Sequence, residues 1–353
     1  MLPVDIVLGP DWWHAHAGIC FDRDFFFHPA RRVQDERKME RILYERWGRW
    51  GLGEDRERDI PLVGATHLAA GFMLSEMLGC NVEYRQDAPP QVLPGGLEDL
   101  KIDEEAAFAC DAMRRFERLT EALKSRFGHL AGDVNWGGAL NIGMDLRGQD
   151  LLMDLLDQPL RAREFLRAIA RVLERFAAGV ERQTGSSSIS VNRNVRHLPR
   201  PVFLHSECSH TMISVECYEH ALLPIDIAWS RAHRPFGIHY CGADPHRFAA
   251  SFARIPHLDF LDVGWGGDVA ALRRALPDTF LNIRLSPVEI VSQSPEAIRS
   301  TIRQKVAESA DPYRTGICCI NMDRRVGDQQ VAAILESVAE LRSELCGQPR
   351  PLG

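Results

Sequence analysis

The stretch Pro235-Phe236-Gly237-Ile238-His239-Tyr240-Cys241-Gly242-Ala243-Asp244-Pro245 decides how the chain is read. Phe236 to Cys241 is an apolar run with the length of a buried strand. It ends on an imidazole and a thiol two residues apart, and side chains at i and i+2 of a strand project from one face. Asp244 before Pro245 reads as an N-cap followed by a first-turn proline, so a helix is expected to start there. A strand that delivers reactive side chains at its C-terminal end and turns at once into a helix is how βα barrels build active sites.

The alternation continues downstream. Asp259 to Val263, Thr279 to Ile283 and Gly316 to Ile320 read as strands. Pro245 to Ala253, Asp268 to Leu276, Pro295 to Ala310 and Asp328 to Leu345 read as the helices between and after them. Upstream, Leu62 to Ala65, Asn81 to Tyr84, Leu130 to Val134 and Val202 to His205 are further strands, with helices at Leu68 to Leu78, Asp103 to Phe127, Leu151 to Val180 and Ile213 to Leu223. Pro159 is expected to divide the third of these helices. Repeated strand-then-helix units imply a parallel sheet, and their number favours a closed (βα)8 TIM barrel over an open doubly wound sheet. No glycine-rich dinucleotide fingerprint follows an early strand. Residues 1–60 are expected to form an N-terminal helical extension and residues 61–353 the catalytic barrel.

The chain has 353 residues, ordinary for one barrel with additions. Its net charge of −7 argues against nucleic acid as the main partner. It carries no run of eighteen apolar residues and no basic, signal-like start, which points to the cytoplasm and away from a membrane. Nine cysteines with no regular spacing favour metal binding or buried thiols over disulfides in that compartment.

An imidazole and two thiolates are what a catalytic zinc asks for, with a fourth position left open. His239 and Cys241 supply two of these groups. The third is expected from a distant strand that lies near in space, and Gly316-Ile317-Cys318-Cys319-Ile320 offers two cysteines on alternating faces. Cys319, nearer the strand end, is favoured over Cys318. Other residues at strand ends are candidates for the same site. Glu207 would be a fourth ligand or a proton acceptor, beside Cys208, or else a solvated loop glutamate. Asp262 would orient His239 or act as a buried cap. Asp133 and Asn135 would line the pocket, Trp265 its rim, and Arg284 would hold a substrate carboxylate or form a surface ion pair. Gly264-Trp265-Gly266-Gly267 reads as a tight βα turn. His14 and His16 share strand spacing. Trp12, Trp13 and Phe25 to Phe27 suit either a flat substrate or a cap on the barrel.

Four segments carry a family resemblance: Leu146-Arg147-Gly148 with Leu151 to Leu155; Met212 to Tyr218 with Leu223-Pro224; His239-Tyr240-Cys241-Gly242; and Gly316 to Cys319. Over roughly residues 60 to 345 the chain resembles the uroporphyrinogen decarboxylase superfamily, and within it the zinc-dependent, corrinoid-linked methyltransferases of the methylcobamide:coenzyme M type. The resemblance implies a TIM barrel and zinc (Zn2+) held by His239, Cys241 and a far cysteine. It implies methyl transfer between a methylcorrinoid and a small acceptor or donor: a thiol, a folate or a methoxylated compound. This chain lacks an Asp-x-His-x-x-Gly corrinoid motif, so the corrinoid is expected on a separate partner protein docking at the barrel mouth. The arginine-rich N-terminal motif of the decarboxylases is absent, with Trp12-Trp13-His14 in its place. A metal-free decarboxylase is the alternative reading, as is a non-catalytic module with a closed structural zinc.

Overall fold

The structure, a computed structural model, describes residues 2–55, 57, 59–60, 62–63, 71–132, 137–185, 194 and 197–346. Its strands are β1 (Val4–Leu8), β2 (Leu62–Val63), β3 (Val82–Glu83), β4 (Gln91–Val92), β5 (Ala131–Gly132), β6 (Phe203–Glu207), β7 (Phe236–Tyr240), β8 (Phe260–Val263), β9 (Phe280–Leu285) and β10 (Thr315–Met322). Six of them form one parallel sheet in the order β1-β10-β9-β8-β7-β6. β2 and β5 form a separate parallel pair; β3, inside the strand expected at Asn81 to Tyr84, pairs antiparallel with β4, which lies outside the expected strands. The expected parallel α/β architecture is thus present as a curled sheet of six strands covered by helices. No described helix is long and apolar enough to cross a membrane.

β1 redraws the division at residue 60. It pairs with β10 from Val4 against Ile317 to Leu8 against Met322, so the first sixty residues contribute a strand to the main sheet. The signal is legible in Val4-Asp5-Ile6-Val7-Leu8, a β-branched run closed by Gly9-Pro10. After it comes the helix Pro10–Ala17, in which residues two apart do not share a face. His14 and His16 therefore take different partners, Cys20 and the Arg324 carbonyl. Trp12, Trp13, Phe25 and Phe26 are buried core residues.

Two other expectations change for local reasons. The helix expected over Asp103 to Phe127 breaks at Cys110, whose extended backbone lets its thiol cap Met113 N–H at 3.4 Å. Asp244 does not cap the turn after β7. Its carboxylate takes the Tyr240 hydroxyl at 2.7 Å and pairs with Arg247, and Pro245–Phe248 is a 3-10 turn. Pro159 does divide its helix, giving Asp150–Asp157 and Pro159–Thr184.

Register sorts the strand residues into two faces. Ser206 lies against His239, His239 against Asp262, and Asp262 against Asn282. Two residues beyond Asn282, Arg284 lies against Cys318. These share the inner face, above a small apolar plug of Val202, Leu204 and Phe260 with Phe280. Ile238, Leu261, Leu281, Ile317 and Cys319 alternate to the outer face and join the main core with the helices. At the C-terminal ends two turns touch: a Cβ at Gly264 would overlap the Gly242 carbonyl, and one at Gly242 would overlap Thr211. That contact requires glycine after β8 and explains the glycine-rich turn.

Gly264→Ala is expected to cost about 1–3 kcal/mol by overpacking against this backbone. Gly179→Ala, in a helix where an added Cβ would meet only the Arg182 guanidinium at an ordinary 3.8 Å contact, is expected to stabilise by about 0.5–1 kcal/mol. Urea denaturation of the two variants checks both signs.

Candidate metal centre

The register brings the site together. Ser206 faces His239, so the residues two further on in each chain, Cys208 and Cys241, arrive at one level just past the ends of β6 and β7. One ligand atom from each of Cys208, His239 and Cys241 lies within 4.8 Å of the others. No other group of three or more potential ligands is this close among the described residues.

Each member is held. His239 Nδ1 is 2.6 Å from Asp262 Oδ2, the orientation expected of Asp262 from sequence. Asn282 Nδ2 donates to the other carboxylate oxygen at 2.5 Å. With Nδ1 donating to Asp262, Nε2 is left as the acceptor nitrogen, which takes Arg284 Nη1 at 3.5 Å and is the one that would coordinate an ion. Burial works against a charged His239, but Asp262 and Cys241 outweigh it and raise the imidazole pKa. The Cys208 thiol donates to Cys241, and with His239 and Arg284 this holds Cys241 well below an ordinary thiol, at about 4. The same contact, with burial, pushes the Cys208 thiol up.

The third soft group is thus Cys208, and neither cysteine of β10 belongs to the cluster. Cys319 faces outward, its thiol directed to the Leu285 carbonyl at 3.8 Å, and burial pushes its pKa up to about 12. Cys318 faces inward but is fully buried at a deeper level, accepting from Asn282 Nδ2 at 3.3 Å. Burial raises its pKa too. The position of Cys208, directly after a strand, was the available signal.

Glu207 points the other way. It is fully buried on the outer face, where it accepts Leu140 N–H at 2.6 Å, Asn141 N–H at 3.2 Å and His205 Nε2 at 3.1 Å. These partners commit it to the first turn of the helix Ala139–Arg147 rather than to an ion or a substrate. Gly138 makes the approach possible, since a Cβ there would overlap the Glu207 carboxylate. Asp133 and Asn135 lie outside the described residues. Trp265 is 44% exposed on the turn after β8, and Met212 and Val288 are exposed on the segments after β6 and β9. Arg284 is 6% exposed, with Nη1 3.5 Å from His239 Nε2 and Nε without a partner. Among the described residues no carboxylate pairs with it.

Beneath Cys208 lies a buried ionic network. His205 Nδ1 is 2.6 Å from Asp226, which also accepts the Tyr218 hydroxyl at 2.6 Å, and Nε2 reaches Glu207. Burial opposes a charged His205, but the two carboxylates overcome it and raise its pKa to about 10. A raised folded-state pKa contributes stability fully present below the unfolded value near 6.5 and lost as pH rises through about 10. Nitrogen-15 NMR should therefore find both His205 ring nitrogens protonated at pH 8. Stability should fall between pH 7 and 10, and Asp226→Ala should cost about 3–5 kcal/mol by stranding a buried charge.

The sequence matches no family model and no curated protein. Among solved structures, a methyltransferase from Methanosarcina mazei aligns over 97% of this chain and 94% of its own, with a TM-score of 0.66 and 11% identity. A B12-independent methionine synthase from Shewanella sp. W3-18-1 aligns over 98% of this chain and 99% of its own, at a TM-score of 0.48 and 9% identity, too slight a likeness to argue from. The chain shares its fold with the first of these.

Proposed function

We propose that the chain is a methyltransferase whose Cys208, His239 and Cys241 hold a zinc ion at the mouth of a TIM barrel. It would move a methyl group between a corrinoid on a partner protein and a small acceptor, foremost a thiol. The observation behind this reading is the convergence of two sulfurs and one imidazole nitrogen within 4.8 Å at the C-terminal ends of parallel strands. Among the described residues, β2 and β5 add a further parallel pair beside the six-stranded sheet. The sequence resemblance to corrinoid-linked methyltransferases supplies the chemistry that the fold likeness alone does not.

The donor set suits the ion. Soft thiolates and an imidazole are zinc's usual partners, and three protein ligands leave a position for substrate. When bound, the ion would supply a Lewis acid at which an acceptor thiol loses its proton at neutral pH. The protein's part is to arrange what surrounds it. Asp262 fixes the His239 tautomer and aims Nε2 at the cluster. With the ion bound, Cys208 and Cys241 would both be thiolates, and their two charges would leave a divalent site near neutrality and an acceptor sulfur electron-rich. Arg284 brings an unneutralised guanidinium beside His239 and would hold an anionic group of the acceptor. Met212, Trp265 and Val288 offer apolar contacts at the rim for the partner.

Elemental mass spectrometry of the purified chain should find about one zinc per chain. Cys208→Ser, His239→Ala and Cys241→Ser should lose it, while Cys319→Ser keeps it. The zinc-loaded protein should consume methylcobalamin in the presence of a thiol, and the three ligand variants should not. Metal-free wild type would overturn this reading and favour the decarboxylase; undiminished zinc in Cys208→Ser would remove Cys208 from the site.

Arg284→Gln should raise KM for 3-mercaptopropionate about tenfold, the loss of one charge-assisted hydrogen bond, with kcat and the KM for 2-mercaptoethanol little changed. Equal effects on both thiols would exclude an anion-binding role.

A further inference from the structure

Of the three clustered groups, Cys208 is the one that its own strand does not hold. It lies past the end of β6, its residue is exposed, and its backbone has already left the extended conformation, with φ −87° and ψ −27°. His239 sits within β7 and is oriented by Asp262, and Cys241 follows β7 directly into the glycine contact at Gly242 and Gly264. Something other than strand pairing must fix Cys208.

We infer that Asn141 is the positioning residue for Cys208, and that the first turn of the helix Ala139–Arg147 is a clamp on the segment that carries this thiol. The inference rests on the metal-centre reading above. The Asn141 side chain uses both ends of its amide. Its Oδ1 accepts from Cys208 N at 3.2 Å and from Ser209 N at 2.8 Å, and its Nδ2 donates to the Ser206 carbonyl at 3.0 Å. One side chain thereby spans four consecutive residues and fixes the bend at Cys208 from both sides. The same helical turn adds two anchors: Gly138 N donates to Ser206 O at 2.6 Å, and the Glu207 carboxylate lies across Leu140 N–H and Asn141 N–H.

This geometry is specific to an amide. A carboxylate at 141 would keep the acceptor for Cys208 N and Ser209 N but lose the donor to Ser206. An alanine would lose all three bonds and leave two backbone N–H groups without their partner. Asn141 makes none of these contacts with a thiol or an imidazole, so it acts on the cluster through the Cys208 main chain. Residues that orient a metal ligand without touching the ion typically tune metal affinity 10- to 100-fold.

The test is a double-mutant cycle on cobalt(II) affinity, measured against a chelator with the full chain. Asn141→Ala should weaken binding by about 10- to 100-fold, and Asn141→Asp should recover part of the loss. In a Cys208→Ala background Asn141→Ala should cause no further loss, because its route to the metal is already gone. An unchanged affinity, or the same loss in both backgrounds, would overturn the inference, the latter by revealing a general structural effect. Alkylation of Cys208 by iodoacetamide in metal-free protein, followed by peptide mass spectrometry, gives a readout that does not need the metal. The rate should rise several-fold in Asn141→Ala if the clamp orders this segment, and an unchanged rate overturns it. If no protein binds cobalt(II), the metal reading fails while this second arm still decides the clamp.

Discussion

The 2.6 Å contact between His239 Nδ1 and Asp262 Oδ2 exists because β7 and β8 pair with these residues side by side. The same register sets Ser206 against His239 and carries Cys208 and Cys241 to one level two residues on. A slip of one residue between β7 and either neighbour would turn its inner-face side chains toward the helices and dissolve the cluster. The apolar outer face, from Ile238 through Leu261 and Leu281 to Ile317, makes such a slip costly, since it would drive those side chains into the polar interior. The core packing of the sheet and the geometry of the site are two consequences of one pairing.

Above the apolar plug the inner face becomes polar. Asp262, Asn282 and Cys318 are linked by hydrogen bonds, with Asn194 joined to Asn282 at 2.8 Å. Buried polar groups of this kind are costly unless they satisfy one another. Here they form a floor that locks Asp262 and, through it, the imidazole. On the outer face the His205, Asp226, Tyr218 and Glu207 network supports β6 just before Cys208. His239 and the end of β6 before Cys208 therefore stand on hydrogen-bonded supports, the arrangement a preorganised site needs.

Much of this is legible in the sequence. The strand-and-helix alternation from Phe236 onward and the shared face of His239 and Cys241 follow from period-two alternation and spacing; Asp262, legible there as either an orienting group or a buried cap, lies 2.6 Å from His239 Nδ1. Cys208 as the third member does not, because its place depends on how β6 registers against β7, which spacing within one strand cannot reveal. The pair at Cys318 and Cys319 misleads for the same reason. Both sit on a plausible strand, but register places one deep inside and the other in the helix layer. Glu207 is a charged residue at the end of a sheet strand, yet it caps helix amides that only the tertiary approach of Gly138 brings near. β1 is missed at the division near residue 60 although its run of β-branched residues is plain, because the aromatic and charged segment after it dominates that region.

X-ray absorption at the zinc edge, on protein loaded with one equivalent of metal, tests the central claim most directly. Zinc held by Cys208, His239 and Cys241 requires two sulfurs at about 2.3 Å and one imidazole nitrogen at about 2.0 Å around the ion, falling to one sulfur in Cys208→Ser and unchanged in Cys319→Ser. A shell of oxygen and nitrogen alone, or two sulfurs retained without Cys208, would contradict it.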